Sequence, residues 1–342
     1  MERNQIIQEI EHLRSSKLIS YLTSNRPGRP ANAVIGMDVV PLMSQHLRKI
    51  GKTQKIDLFL FSTGGNTMVP WRVVSMIREY CETFSVLIPY KAHSAATMVA
   101  LGADEIVMSD ISELSPIDPS TANVFNPVDP LNSQNRLPIS VEDVIAYFDL
   151  AREKFGIKNE VQLADIFLKF VDANPQIHPL ALGNVNRTHT LIRILARRLL
   201  KSHKEAMLEE EINKIVGYFT EKLYSHQYFI GRKEAKEELG LKNISYSDAS
   251  VDGLLTKLFD SYNKEMQDDK LWSPENEIEL SGDHGKKEYK IAFIESLAQT
   301  NYFSLVLDFR RQQVSMVHQT PQGPINIPQE QVGWRIIKQE WN

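Results

Sequence analysis

Two short stretches carry residue types suited to acyl chemistry, "STGGNT" at 62–67 and "HSAATMVALGA" at 93–103. Adjacent glycines, Gly64 and Gly65, let a chain turn tightly, approach a ligand closely and present bare N–H groups. Ser94 precedes two alanines and an apolar run, which places it at a helix start. Free amide protons and partial positive charge there favour a developing oxyanion. A serine in that position also serves as a simple N-cap. If the two turns lie side by side, the amides of Gly64, Gly65 and Ala95 converge with the Ser94 hydroxyl on one carbonyl. The glycine pair lacks the Gly-Lys-Ser/Thr ending of a phosphate loop and the Gly-x-Gly-x-x-Gly spacing of dinucleotide binders. A nucleophilic serine needs a neutral base within hydrogen-bond reach. His93 is adjacent, but neighbouring side chains at a turn usually diverge. Lys91 would have to be desolvated to lose its charge near neutral pH. The nine histidines contain no His-Glu-x-x-His pattern, and His189 and His203 stand too far apart on one helix to share a metal. No metal or cofactor is expected.

The elements that must hold these turns follow from the hydrophobic periods. Strands are expected at 17–23, 56–62, 84–89 and 105–109, with helices at 39–51, 67–81 and 94–103 between them. Gly51 is placed to stop the first of these helices, and Pro70 fits the first turn of the second. This alternation predicts a largely parallel sheet covered by helices, with ligands at the carboxyl ends of its strands. From about 140 to 225 the pattern turns to long helices. A polar stretch near 268 marks a boundary, followed by three strand-like runs that read as a small β-rich appendage. "NYFSLVLDFRRQQ" within it reads as part of a closed small sheet, the alternative being an edge open to a partner strand.

Composition narrows the class. A net charge of −4 gives no support for nucleic-acid binding, and the basic run "RILARRLLKSHK" reads as a solvated helix face. The single cysteine, Cys81, reads as a core residue. The first residues lack the basic-then-apolar profile of a secretory signal, and no apolar run is long enough to span a membrane. A cytoplasmic protein is expected.

"STGGNT", a following strand, then "HSAATMVALGADEIVMSDISELSPIDP" together resemble the Clp/crotonase fold, and within it the serine dehydrogenase proteinase family, related to signal peptide peptidase A. The resemblance extends over roughly 15–245, because "SHQYFIGRKEAKEELGL" is similar to that family's closing element. It implies that the Gly64–Gly65 turn forms an oxyanion hole and that Ser94 is the nucleophile. Departures are Ala96 and Ser115, each where the family has glycine. Ile117, with Asp118 beside it, stands where a Clp proteolytic subunit has its catalytic histidine, so that triad does not carry over. The resemblance makes His226, in the closing element, the first choice of base, its alternative role being a structural hydrogen bond. A lysine is the second choice, as in signal peptide peptidase A, with Lys201 and Lys91 as candidates. His178 lies in another family-like segment and is expected to line the pocket.

The expectation is therefore a Clp/crotonase-like α/β spiral over 1–267, with a helical insertion at about 140–225 and an appendage over 268–342. It would act as a serine peptidase on peptide or protein substrates and would form a homo-oligomer. The rivals are an inert scaffold of the same fold and an acyl-CoA enzyme using the same turns on a thioester.

Overall fold

A computed structural model describes residues 2–28, 30, 32–117, 120–121, 124–129, 132–137, 139–173, 178–222, 228–278, 282–320 and 323–342. The first 108 residues form α1 (Arg3–Arg14), β1 (Lys17–Thr23), α2 (Val39–Ile50), β2 (Thr53–Phe61), α3 (Val69–Arg78), β3 (Cys81–Ile88), β4 (Lys91–Ala92), α4 (Ala95–Leu101) and β5 (Glu105–Met108). Apart from α1 and β4, which the sequence reading did not anticipate, these match the expected alternation, with ends shifted by a few residues. Beyond them lie β6 (Glu113–Leu114), β7 (Ser120–Thr121), β8 (Val128–Asp129), β9 (Asn132–Arg136) and β10 (Ile139–Ser140). Helices α5 (Val141–Asp149), α6 (Glu160–Ala173), α7 (Pro179–Lys201) and α8 (Glu209–Gly217) follow. The chain ends with β11 (Ile230–Gly231), β12 (Ile244–Tyr246), α9 (Ala249–Met266), α10 (Pro274–Ile278), β13 (His284–Ser296), β14 (Gln299–Thr320) and β15 (Gly323–Trp341).

One eight-stranded sheet runs in the order β12-β5-β3-β2-β1-β13-β14-β15. The pairs from β12 to β1 are parallel, and those from β1 to β15 are antiparallel. Alternate side chains of the parallel strands feed two cores, as a period of two requires. Ile19, Tyr21, Leu58, Leu60, Val86 and Ile106 meet α2, α3, α4, α7 and α8 on one face. Leu18, Leu22, Phe59, Phe61, Leu87 and Val107 meet α1 and α9 on the other. Both faces are covered, which is why these strands read as continuous apolar runs.

The strands after 268 do not form a separate closed sheet. β13 pairs with β1 from Ser20↔Glu295 to Thr23↔Ala292, and its Phe293 and Ile294 enter the two main cores. The run "NYFSLVLDFRRQQ" lies in β14, between β13 and β15, so the edge of the sheet is β15. A further core of Trp272, Ile278, Tyr289, Ile291, Leu305, Leu307 and Phe309 packs beneath this extension.

A small second sheet, β11-β6-β4, adjoins the large one. Helix α4 is short and every one of its side chains is buried. A Cβ on Gly102, at its C-terminal end, would stand 2.9 Å from side-chain atoms of both Leu199 and Val74. Helices α3, α4 and α7 therefore close on one another there, and the opposite end of α4 carries Ser94.

Candidate active site

A parallel bridge between Ser62, just after β2, and Ala92 of β4 sets the two turns side by side. The Ser62 N–H donates to Lys91 O at 2.9 Å, and the His93 N–H donates to Ser62 O at 3.0 Å. One step further, a Cβ added to Gly64 would lie 2.8 Å from Ser94 Cβ and 3.2 Å from Ser94 Oγ. No side chain fits between the turns, and Gly64 also holds φ +109°, where only glycine is at ease.

Ser94 has φ +51° and ψ −114°, a combination that residues with a Cβ avoid. A serine on a strained strand-to-helix turn is how α/β hydrolases expose a nucleophilic hydroxyl. The backbone of Ser94 caps α4, its carbonyl accepting from Met98 N–H at 3.0 Å, but its side chain caps nothing. The residue is half-buried, and among the described residues nothing hydrogen-bonds its Oγ. The plain N-cap role is thus corrected: the helix leaves this hydroxyl unoccupied.

The amides around it divide into engaged and open ones. The Gly64 N–H donates to Ser62 Oγ at 3.1 Å, and that hydroxyl accepts from Thr23 Oγ1 at 2.7 Å. Gly65 is bridged to Ile35 through its neighbours, Ile35 N–H donating to Gly64 O at 2.7 Å and Asn66 N–H to Ile35 O at 2.8 Å. In a parallel bridge of this kind the bridged residue's own amide points away from its partner. Among the described residues, neither the Gly65 N–H nor the Ala95 N–H has an acceptor.

Ser115 holds the Ser94 backbone. Its Oγ accepts the Ser94 N–H at 2.8 Å and donates to Pro116 O at 3.0 Å. Thr97 Oγ1 lies 2.6 Å from Ala92 O and accepts from Ser115 N–H at 3.1 Å, binding the same junction from inside. Sequence reasoning noted Ser115 only as a replacement for glycine; its hydroxyl is the part that matters here. Glu113 was missed altogether, because only the β4–β6 register places it opposite Lys91. His93 Nε2 lies 3.1 Å from Glu113 Oε1, and Lys91 Nζ lies 3.8 Å from it. Burial holds the Glu113 carboxyl above its usual range, against the opposing pull of Lys91.

The remaining candidates are scattered. Lys201 ends α7 and pairs with Glu209, while the adjoining His203 Nε2 meets Leu101 O at 2.8 Å. It therefore stands by the C-terminal end of α4, at the far end from Ser94, because the α7 register brings Leu199 onto Gly102. His178 caps α7, accepting the Leu180 N–H at 3.1 Å, and stacks on Phe125. His226 and Asp118 lie outside the described residues. Cys81 donates to Ile77 O, and burial pushes its thiol up to about 11, so it is an inert thiol at neutral pH. Among the described residues no group of three or more metal-ligating side chains occurs, and no helix is long and apolar enough to cross a membrane.

The structure is thus a mostly parallel, helix-flanked sheet with an open serine on a strained turn beside paired glycines. Residues 1–143 match the family model described as ClpP-like SDH-type serine proteinase, the family that the motifs resemble. The match ends before α6 and α7, so the resemblance expected as far as 245 is supported only over its first part. Two proteins of Methanocaldococcus jannaschii, Uncharacterized protein MJ1495 and Uncharacterized protein MJ0137, are 27% and 25% identical to this chain over 123 residues. Those alignments cover 35% of this chain and 42% and 43% of the relatives, so the chain spans about two fifths of their length.

Proposed function

We propose that this protein is a serine peptidase working through an acyl-enzyme on Ser94. The observation that carries the reading is the open, strained Ser94 hydroxyl, pressed so close to Gly64 that no side chain fits between them. Oγ attacks the peptide carbonyl and passes its proton to a base. The amides of Gly65 and Ala95 stabilise the oxyanion, and Gly64 gives the carbonyl room to enter. The C–N bond then breaks as the base protonates the leaving amine, and water releases the acyl group by the reverse sequence.

His226 is the base in this reading, because its segment resembles the family's closing element. Ile230, four residues on, pairs with Leu114, whose neighbour Ser115 binds the Ser94 amide. Four residues span at most about 14 Å, which is compatible with this choice of base. Lys91 is the alternative base, its Nζ standing 3.8 Å from Glu113 Oε1. Exposed Val34, Met37 and Met68 flank the glycine turn and its Ile35 partner, which suits an apolar side chain of a peptide substrate.

In the same reading, the β4-β6-β11 sheet begins the second turn of a Clp/crotonase-like spiral. The protein is a cytoplasmic homo-oligomer, its contacts made by the α5–α6 arm, where Ile145, Phe155, Val161 and Leu168 are exposed. The bare hydroxyl also favours a second reading, an inert scaffold that has kept the fold without a working base.

A fluorophosphonate probe followed by mass spectrometry tests the choice. Stoichiometric labelling at Ser94, abolished by Ser94→Ala and slowed by His226→Ala, is the expected result. A folded protein that takes up no label is the scaffold.

A further inference from the structure

The connection between β1 and α2 carries Ile35, the residue that locks the glycine turn, and each end of that connection is fastened to the C-terminal part of the chain. At its start, the Ser24 N–H donates to Ile291 O at 2.8 Å. The Ser24 hydroxyl donates to Asp268 Oδ1 at 2.5 Å, and the Asn25 N–H donates to Asp268 Oδ2 at 2.9 Å. Arg26, buried, donates to Lys270 O at 2.9 Å and to Glu277 Oε1 at 2.7 Å. Glu277 is held in turn by Lys287 and by Tyr289 Oη at 2.8 Å. The Trp272 N–H donates to Pro27 O at 2.8 Å, and a Cβ on Gly28 would stand 2.4 Å from Trp272 O. At the other end, the Trp341 indole N–H donates to Asp38 Oδ2 at 2.6 Å.

Between these anchors, the only backbone bonds from Ile35 among the described residues run to the turn: Ile35 N–H to Gly64 O and Asn66 N–H to Ile35 O. Gly65 cannot drift toward Ile35, because its Cα already lies so close that an added Cβ would stand 2.3 Å from Ile35 O. The direction of the Gly65 amide is thus fixed by Ile35, and Ile35 is fixed by groups from 268 to 341. We infer that the C-terminal sheet extension is a positioning device for the oxyanion turn, acting through the 24–38 connection, with Asp268 and Trp341 as its positioning residues. The catalytic consequence rests on the peptidase reading above; the mechanical coupling does not.

The test uses the full chain and two readouts. Trp341→Phe keeps a ring against Phe303 but removes the indole donor, and Asp268→Ala removes the anchor at the opposite end. Hydrogen–deuterium exchange of peptides covering 33–38 and 62–68 should quicken about tenfold in each variant, the scale of one lost hydrogen bond to a charged group. Peptides from β2 and β3 should keep their protection. Fluorophosphonate labelling of Ser94 should slow by a similar factor with the melting temperature of Trp341→Phe nearly unchanged. Unaltered protection of 62–68 in Trp341→Phe overturns the inference, as does loosening of β2 and β3 to the same extent. Wild-type protein that is never labelled overturns the peptidase reading alone, and the exchange result still decides the coupling.

Discussion

Ser94 pays for its geometry: a residue with a Cβ held in so unusual a backbone region costs about 1–3 kcal/mol. Its surroundings must hold it there, and Ser115 Oγ, Thr97 Oγ1 and the buried helix behind it do so. Gly64 is the most sensitive neighbour. Gly64→Ala puts a methyl group 2.8 Å from Ser94 Cβ at a φ of +109°, so the serine or the turn must move. Labelling of Ser94 is expected to fall at least a hundredfold, with a stability loss of about 1–3 kcal/mol; denaturant melts and labelling rates measured on the same sample separate the two effects. At this scale the residue types were legible and their partners were not. The paired glycines and the serine announce a tight turn and a hydroxyl by composition alone. The Glu113–His93 contact and the Ser115 acceptor depend on the pairing of two-residue strands, and the Ile35 lock on an isolated bridge, which local patterning does not determine.

Between elements, one buried tie is ionic. Arg14, at the end of α1, donates to Asp57 of β2 at 2.5 Å and to Glu105 of β5 at 2.7 Å, with Ser16 Oγ and Lys55 completing the set. Asp57 is wholly buried. Arg14→Ala leaves that carboxylate without its main partner, and a loss of about 3–5 kcal/mol is expected in chemical denaturation. Burial alone would raise the Glu105 carboxyl, but Arg14 and Lys55 outweigh it and hold it at about 2. A depressed folded value means that this contribution is complete above the ordinary value of 4.5 and is lost as pH falls toward 2. Acid unfolding monitored by circular dichroism should therefore begin below pH 4.5 and shift to higher pH in the Lys55→Ala variant. The parallel strands were legible here, because strands covered on both faces spell themselves in apolar runs. The long helices were legible too, but not their packing: nothing in "LIRILARRLLKSH" told that Lys201 would end beside the wrong end of α4.

Across the whole molecule, the region after 268 is where the sequence misled. Three amphipathic strands following a polar stretch look like a separate small sheet, and only pairing shows that β13 supplies the missing neighbour of β1. Without it, β1 would be an edge strand with apolar side chains on both faces, a form prone to association. A chain shortened to residues 1–267 is therefore expected to aggregate and to lose its cooperative thermal transition by size-exclusion chromatography and circular dichroism. A soluble shortened chain with a sharp transition would restore the idea of an independent appendage. The order of that sheet also bears on the timing of synthesis. β1, β2, β3 and β5 leave the ribosome early, yet the second partner of β1 and both clasps on the 24–38 connection are encoded far downstream. A nascent chain thus carries Ser94 and the glycine turn long before the groups that fasten the connection between them and the C-terminal strands.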